Sequence, residues 1–140
     1  MPLIGWQSTF ILGIEEFDTH HKHLVSLLNT AYDNYISGAS REALGLILDE
    51  LVDYTVYHFD CEELWMDKLS YSGYLDHKNE HSTFTTKILD FRNDYHAGNI
   101  DMSSELLAFL LKWLSDHILG TDAKYARYYQ SYIRNTGASP

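Results

Sequence analysis

The chain has 140 residues, 45% of them hydrophobic and 14% aromatic, which suits one domain with a buried core and excludes a disordered polymer. Asp and Glu number 20 against 10 Lys and Arg, and the resulting net charge of -10 disfavours nucleic acid and anionic membrane surfaces as partners. Cys61 is alone, the first residues lack a signal-peptide pattern, and the most apolar stretch, Leu106 to Leu114, is short and holds Lys112, so a cytoplasmic domain without a membrane span is expected.

With only 2 prolines and 8 glycines, the chain favours long helices over many short strands. The residues before Asp18 include Trp6, Phe10 and Ile11, too apolar for a free arm, and are expected to pack along the fold. The first helix is read from about Asp18 to Ser37, stopping at Gly38. Ser40 can cap a second that reaches about Lys68. A turn from Ser70 to Gly73 precedes the third, about Tyr74 to His96, which Gly98 ends. The fourth begins at about Asp101, with Asp101 or Ser103 as its cap, and reaches about Leu119 before Gly120. A fifth, from about Asp122 to Arg134, carries Tyr125, Tyr128, Tyr129 and Tyr132 on the face that packs. The prediction is a single all-α domain over residues 1–140. Its form is an up-down-up-down antiparallel four-helix bundle with an N-terminal arm and a short C-terminal helix.

Eight histidines carry the chemical information. On a helical wheel the first helix buries Leu24, Val25, Leu28, Tyr32 and Tyr35, with His21 on the same stripe. His20 and His23 point away from that stripe, and His96 is also expected at the surface. The second helix aligns Leu44, Ile47, Leu51, Tyr54, His58, Glu62 and Trp65, leaving Glu63 towards solvent. Tyr74, His77, His81, Phe84, Ile88, Phe91 and Tyr95 form one stripe on the third, and Leu106, Leu110, Trp113, Leu114 and His117 one on the fourth. Asp122 follows His117 by five residues, which a regular helix would turn about 140° away and a π-bulge would bring back, with Gly120 easing the distortion.

One buried imidazole is ordinarily a hydrogen-bonded core residue. Five imidazoles and a carboxylate converging on one interior are not, because each unpaired buried polar group costs roughly 1–3 kcal/mol. In an antiparallel bundle these residues also fall at the same end. With Asp122 the set exceeds what one tetrahedral ion needs and suits two metals joined by bridging carboxylates; iron, manganese, zinc or copper would accept these donors. The Glu-x-x-His motif of di-iron carboxylate bundles is missing, which tilts the expectation from an oxygen-activating enzyme towards a carrier or sensor.

Four strings resemble the motifs of the hemerythrin family over roughly Gly13 to Tyr125. Asp18-Thr19-His20-His21-Lys22-His23-Leu24 is similar to D-x-Q-H-K-x-L, with His20 where Gln is usual. The segment His58-Phe59-Asp60-Cys61-Glu62-Glu63-Leu64-Trp65-Met66 resembles H-F-x-x-E-E-x-L-M. His77 to His81 followed by Phe84 resembles H-x-x-x-H-x-x-F, and Trp113 to Ile118 with Asp122 resembles W-L-x-x-H-I-x-x-x-D.

The resemblance implies two iron ions cycling between Fe2+ and Fe3+ and sharing a solvent-derived hydroxo or oxo bridge. His77, His81 and His117 would bind one iron, and His21 and His58 the other, leaving it an open position. Glu62 and Asp122 would bridge the pair. It further implies reversible O2 binding for storage, transport or delivery to an oxygen-consuming enzyme. Sensing through a signalling partner, and reduction of peroxide or nitric oxide, are the alternatives. Trp113, Leu114, Ile118, Phe59, Leu24 and Leu28 are candidate walls of the oxygen pocket.

Overall fold

The computed structural model describes residues 10–137, so Trp6 lies outside the described residues. Four helices form the bundle: α1 (Glu15–Ile36), α2 (Arg41–Lys68), α3 (Tyr74–His96) and α4 (Ser104–Asp116). A π-helical segment, His117–Asp122, carries α4 without a break into α5 (Ala123–Thr136). No helix among the described residues is long and apolar enough to cross a membrane.

Local chemistry explains three of the helix starts. Ser40 Oγ accepts from the Ala43 N–H at the start of α2, and Ser103 Oγ accepts from the Leu106 N–H at the start of α4. Ser103, not Asp101, is therefore the cap of α4. The first helix starts three residues before the expected Asp18. There the Asp18 carboxylate reaches back to accept from the Leu12 and Gly13 N–H groups at 2.7 and 3.1 Å, and Gly13 takes the positive φ (91°) that turns the arm onto the helix. In the arm Phe10 is buried and Ile11 is exposed.

Cross-helix pairs fix the antiparallel order. His81 near the start of α3 meets Glu63 near the end of α2, while His96 at the other end of α3 meets Asp49. The third and fourth helices join through rings, with Phe84 stacked on Trp113 at 3.8 Å and Phe91 edge-on to Phe109. On α4, Leu107 takes a buried place that the wheel had given to Leu106, which is half-buried.

Two apolar clusters divide the interior. The larger one includes Leu24, Leu28, Phe59, Phe84, Leu114 and Ile118. The smaller one joins Ile14, Phe17, Met66, Leu69, Tyr125 and Ala126, with the half-buried Tyr128, Tyr129 and Tyr132 against it. The tyrosine stripe of α5 thus packs onto the bundle, and Tyr128 donates to the Leu69 carbonyl at 2.5 Å. The buried histidines and carboxylates lie on α1, α2, α3 and the π-helical segment.

Candidate metal centre

All seven candidate ligands are buried: His21, His58, Glu62, His77, His81, His117 and Asp122 are each at most 2% exposed. One stretch each of α1, α2, α3 and the π-helical segment supplies them. Phe17 and Leu24 flank His21 on α1, Phe59 and Met66 bracket Glu62 on α2, and Leu114 and Tyr125 bracket the pair His117 and Asp122. The π-helical segment widens the backbone between those last two, so a spacing of five residues returns to one face. Gly120 needs no special backbone there, since its φ is ordinary and a Cβ would meet nothing within 4 Å.

The seven residues fall into two groups of converging donor atoms. Glu62, His77, His81, His117 and Asp122 form one, and His21, His58, Glu62 and Asp122 form the other. Glu62 and Asp122 belong to both. Glu62 Oε1 lies 2.6 Å from His77 Nε2 and 3.2 Å from His81 Nε2, while its Oε2 lies 3.3 Å from His58 Nε2. Asp122 Oδ1 lies 2.9 and 3.0 Å from the Nε2 atoms of His77 and His117, while its Oδ2 lies 3.0 Å from His21 Nε2. Each carboxylate turns one oxygen to each group.

These separations are short, yet most of the contacts are not aligned as hydrogen bonds. Nε2 of His21, His58 and His77, Oε1 of Glu62 and both oxygens of Asp122 have no hydrogen-bond partner. Within each group the donor atoms lie within 4.8 Å of one another, so each group surrounds one point that an ion could occupy. Unsatisfied polar atoms at this burial are costly, and cations at the two points would satisfy them together. The donor set, imidazole nitrogen with carboxylate oxygen, suits a borderline divalent metal.

The electrostatics have the same sign. Burial lowers the His77 and His117 pKa values, but Asp122 and Glu62 outweigh it, raising His77 to about 9 and, with Glu80 adding a hydrogen bond, His117 to about 10. Burial pushes both carboxyls up, and the Asp122 charge adds to it at Glu62, but the neighbouring imidazoles win and hold both below the usual carboxylate range. Burial keeps His58 below its ordinary value. In the metal-free chain, protons supply the positive charge that the two carboxylates demand.

Three groups around the ligands escaped the reading of the wheel. His20, expected in solvent, is 5% exposed and sits with its Nδ1 2.8 Å from Nδ1 of His58. Burial first, then the neighbouring His58 and His21, lowers its pKa to about 4. The signal was present, because Phe17, His20, Leu24, Leu27 and Ala31 repeat at alternating steps of three and four and are all buried. Glu63 is likewise drawn inward, its Oε2 3.0 Å from His81 Nδ1. Glu80 accepts from His117 Nδ1 at 2.6 Å and from the Thr121 hydroxyl at 2.8 and 2.9 Å. His23 and His96 are exposed, as expected; His23 packs on Tyr54 and His96 pairs with Asp49.

The six candidate pocket residues divide into two roles. Leu24, Leu28 and Leu114 help line an internal apolar cavity of about 20 Å³. Phe59 instead stacks on the His81 ring at 3.8 Å, Trp113 on the His117 ring at 4.6 Å, and Ile118 is fully buried in the larger cluster.

The profile of the hemerythrin HHE cation binding domain matches residues 12–129. A bacteriohemerythrin of Stenotrophomonas maltophilia is 35% identical, over 95% of this chain and 86% of that protein. One from Methylococcus capsulatus is 32% identical, over 89% of this chain and 95% of its own length. The crystal structure of wild-type hemerythrin superposes with a TM-score of 0.85 at 31% identity, covering 89% of this chain and 96% of that one. With the same fold, the same span and the four motifs in order, the chain belongs to the hemerythrin family.

Proposed function

We propose that this protein holds two iron ions and binds O2 reversibly, as an oxygen store or carrier and not as an enzyme. The observation that carries the reading is the placement of Glu62 and Asp122, each turning one oxygen to a three-imidazole group and the other to a two-imidazole group. Bound iron would supply the electrons for oxygen binding and, on the side with fewer ligands, a free coordination position.

His77, His81 and His117 would hold one of the ions, and His21 and His58 the other. Glu62 and Asp122 span the two and neutralise part of their charge. Leu24, Leu28 and Leu114 keep apolar a cavity whose wall starts one helical turn along the chain from His21 and His117, and its volume of about 20 Å³ fits a diatomic molecule or one water. The Thr55 hydroxyl at its wall donates to the Leu51 carbonyl at 2.7 Å and so is not a free proton donor to the cavity. A wall without acidic protons favours release of oxygen over loss of its reduced form.

The test is the visible spectrum of the iron-loaded, anaerobically reduced protein, taken before oxygen, after oxygen and after evacuation. A charge-transfer band that comes with oxygen and leaves under vacuum is the expected result. A single, lasting change to an oxidised spectrum would point to redox sensing or to peroxide or nitric oxide reduction. The absence of any band, with other metals found by elemental analysis, would reject iron.

A further inference from the structure

Three of the five ligand imidazoles have their outer nitrogen held, and the chemistry of the holder differs between the two groups. His81 and His117 each face a carboxylate through Nδ1, from Glu63 at 3.0 Å and Glu80 at 2.6 Å. His58 faces another imidazole, with Nδ1 of His20 at 2.8 Å. Nδ1 of His21 and of His77 have no hydrogen-bond partner. Both carboxylate-backed rings thus belong to the three-imidazole group, and the two-imidazole group has none.

Two ring nitrogens 2.8 Å apart share one proton. Nε2 of His58 faces Glu62 and the interior of the cluster, so a metal there takes that lone pair and leaves the ring proton on Nδ1. Nδ1 of His20 must then accept, which puts the His20 proton on its own Nε2. The ring is wedged in this orientation by Phe17, Tyr54 and Tyr57, whose centroids lie 5.4–5.8 Å away. A carboxylate draws the ligand's outer proton towards itself and makes the opposite nitrogen a stronger donor. An uncharged ring nitrogen does this less. Gln, the usual residue at this place in the motif, would present an amide oxygen where this chain presents a ring.

We propose, resting on the two-metal reading above, that His20 is a positioning residue. It locks His58 with its proton on Nδ1 and, as an uncharged acceptor, supports the His21 and His58 position less than a carboxylate would, leaving it the more weakly held of the two metal sites.

Zinc, which is diamagnetic, provides the test. Long-range nitrogen–proton NMR of the zinc-loaded wild type should show His58 protonated at Nδ1 and His20 at Nε2; the opposite tautomers would overturn the proposal without any variant. Chelator should then strip zinc from the wild type in two phases. The faster phase should quicken about 10–100-fold in His20→Ala, slow by about tenfold in His20→Glu and stay within about threefold in His20→Gln, with the slower phase unchanged in all three. A fast phase indifferent to Ala and Glu, in protein that binds two zinc ions, would overturn the role of His20 alone. Fewer than two zinc ions on the wild type would reject the two-metal reading beneath it.

Discussion

Nε2 of His81 and Nε2 of His117 face each other at 3.0 Å, while a carboxylate engages the far nitrogen of each ring. With both outer nitrogens donating, the inner pair brings lone pair against lone pair. Only positive charge between or upon them makes that arrangement favourable, whether metal or proton.

The metal-free protein should therefore lose stability as pH rises. His77 and His117 have folded pKa values of about 9 and about 10, above the ordinary 6.5. Their contribution is complete below pH 6.5 and is lost as pH climbs through 9 to 10. Metal replaces those protons, so the loaded protein should show a flatter profile. Thermal unfolding at pH 6.5, 8 and 10, with and without zinc, checks both. Equal slopes for the two forms would mean that the cluster does not exchange protons for metal.

Glu80 should govern metal retention more than folding. It is partly exposed, but it holds His117 Nδ1 at 2.6 Å and is itself braced by Thr121. Glu80→Gln removes the charge and keeps the shape, and should weaken metal binding by about 10–100-fold. Chelator competition on the loaded protein measures it. Unaltered affinity would leave Glu80 as a surface pair of Thr121 and no more.

Gly120 should be dispensable for the π turn. A Cβ at this position meets nothing within 4 Å, and the backbone is not left-handed. Gly120→Ala should stabilise the protein by about 0.4–1 kcal/mol through the unfolded chain, with metal content unchanged. Denaturant unfolding gives the sign. Destabilisation with loss of metal would show that the wide turn depends on glycine after all.

The wheel exposed the fold and the inward residues because each helix repeats its apolar face regularly, and Ser40 marked its helix start plainly. It put Asp122 inside only by allowing a wide turn after His117, and that turn exists as a π-helical segment running on into α5 where a break at Gly120 had been expected. A stripe centred on Leu24, Val25 and Leu28 leaves His20 outside, but the buried face of α1 is broader and takes in Phe17, His20 and Leu27. Glu63 and Glu80 were illegible for a different reason. Each sits at the flank of its own helix, and what draws it inward is the outer nitrogen of a histidine on another helix. No single-helix periodicity carries that information.

Leu114 offers the sharpest test of the apolar wall. It follows Trp113, stands three residues before His117, is buried, and lines the cavity of about 20 Å³ with Leu24 and Leu28. A cavity of that size admits a single water once a polar group is there to hold it. Leu114→Asn supplies such a group on a side chain with the same branching and number of heavy atoms, so it brings a proton source to the cavity wall with a modest loss of volume. On the oxygen-binding reading, irreversible oxidation in air should accelerate by about tenfold or more, equivalent to a barrier lower by ~1.4 kcal/mol. Leu114→Met keeps the wall apolar and should oxidise at close to the parent rate. Decay of the oxygen-dependent band, followed in air-saturated buffer for all three proteins, separates polarity from packing. Equal acceleration in both variants would mean that the fit of Leu114, and not the dryness of the wall, protects the centre.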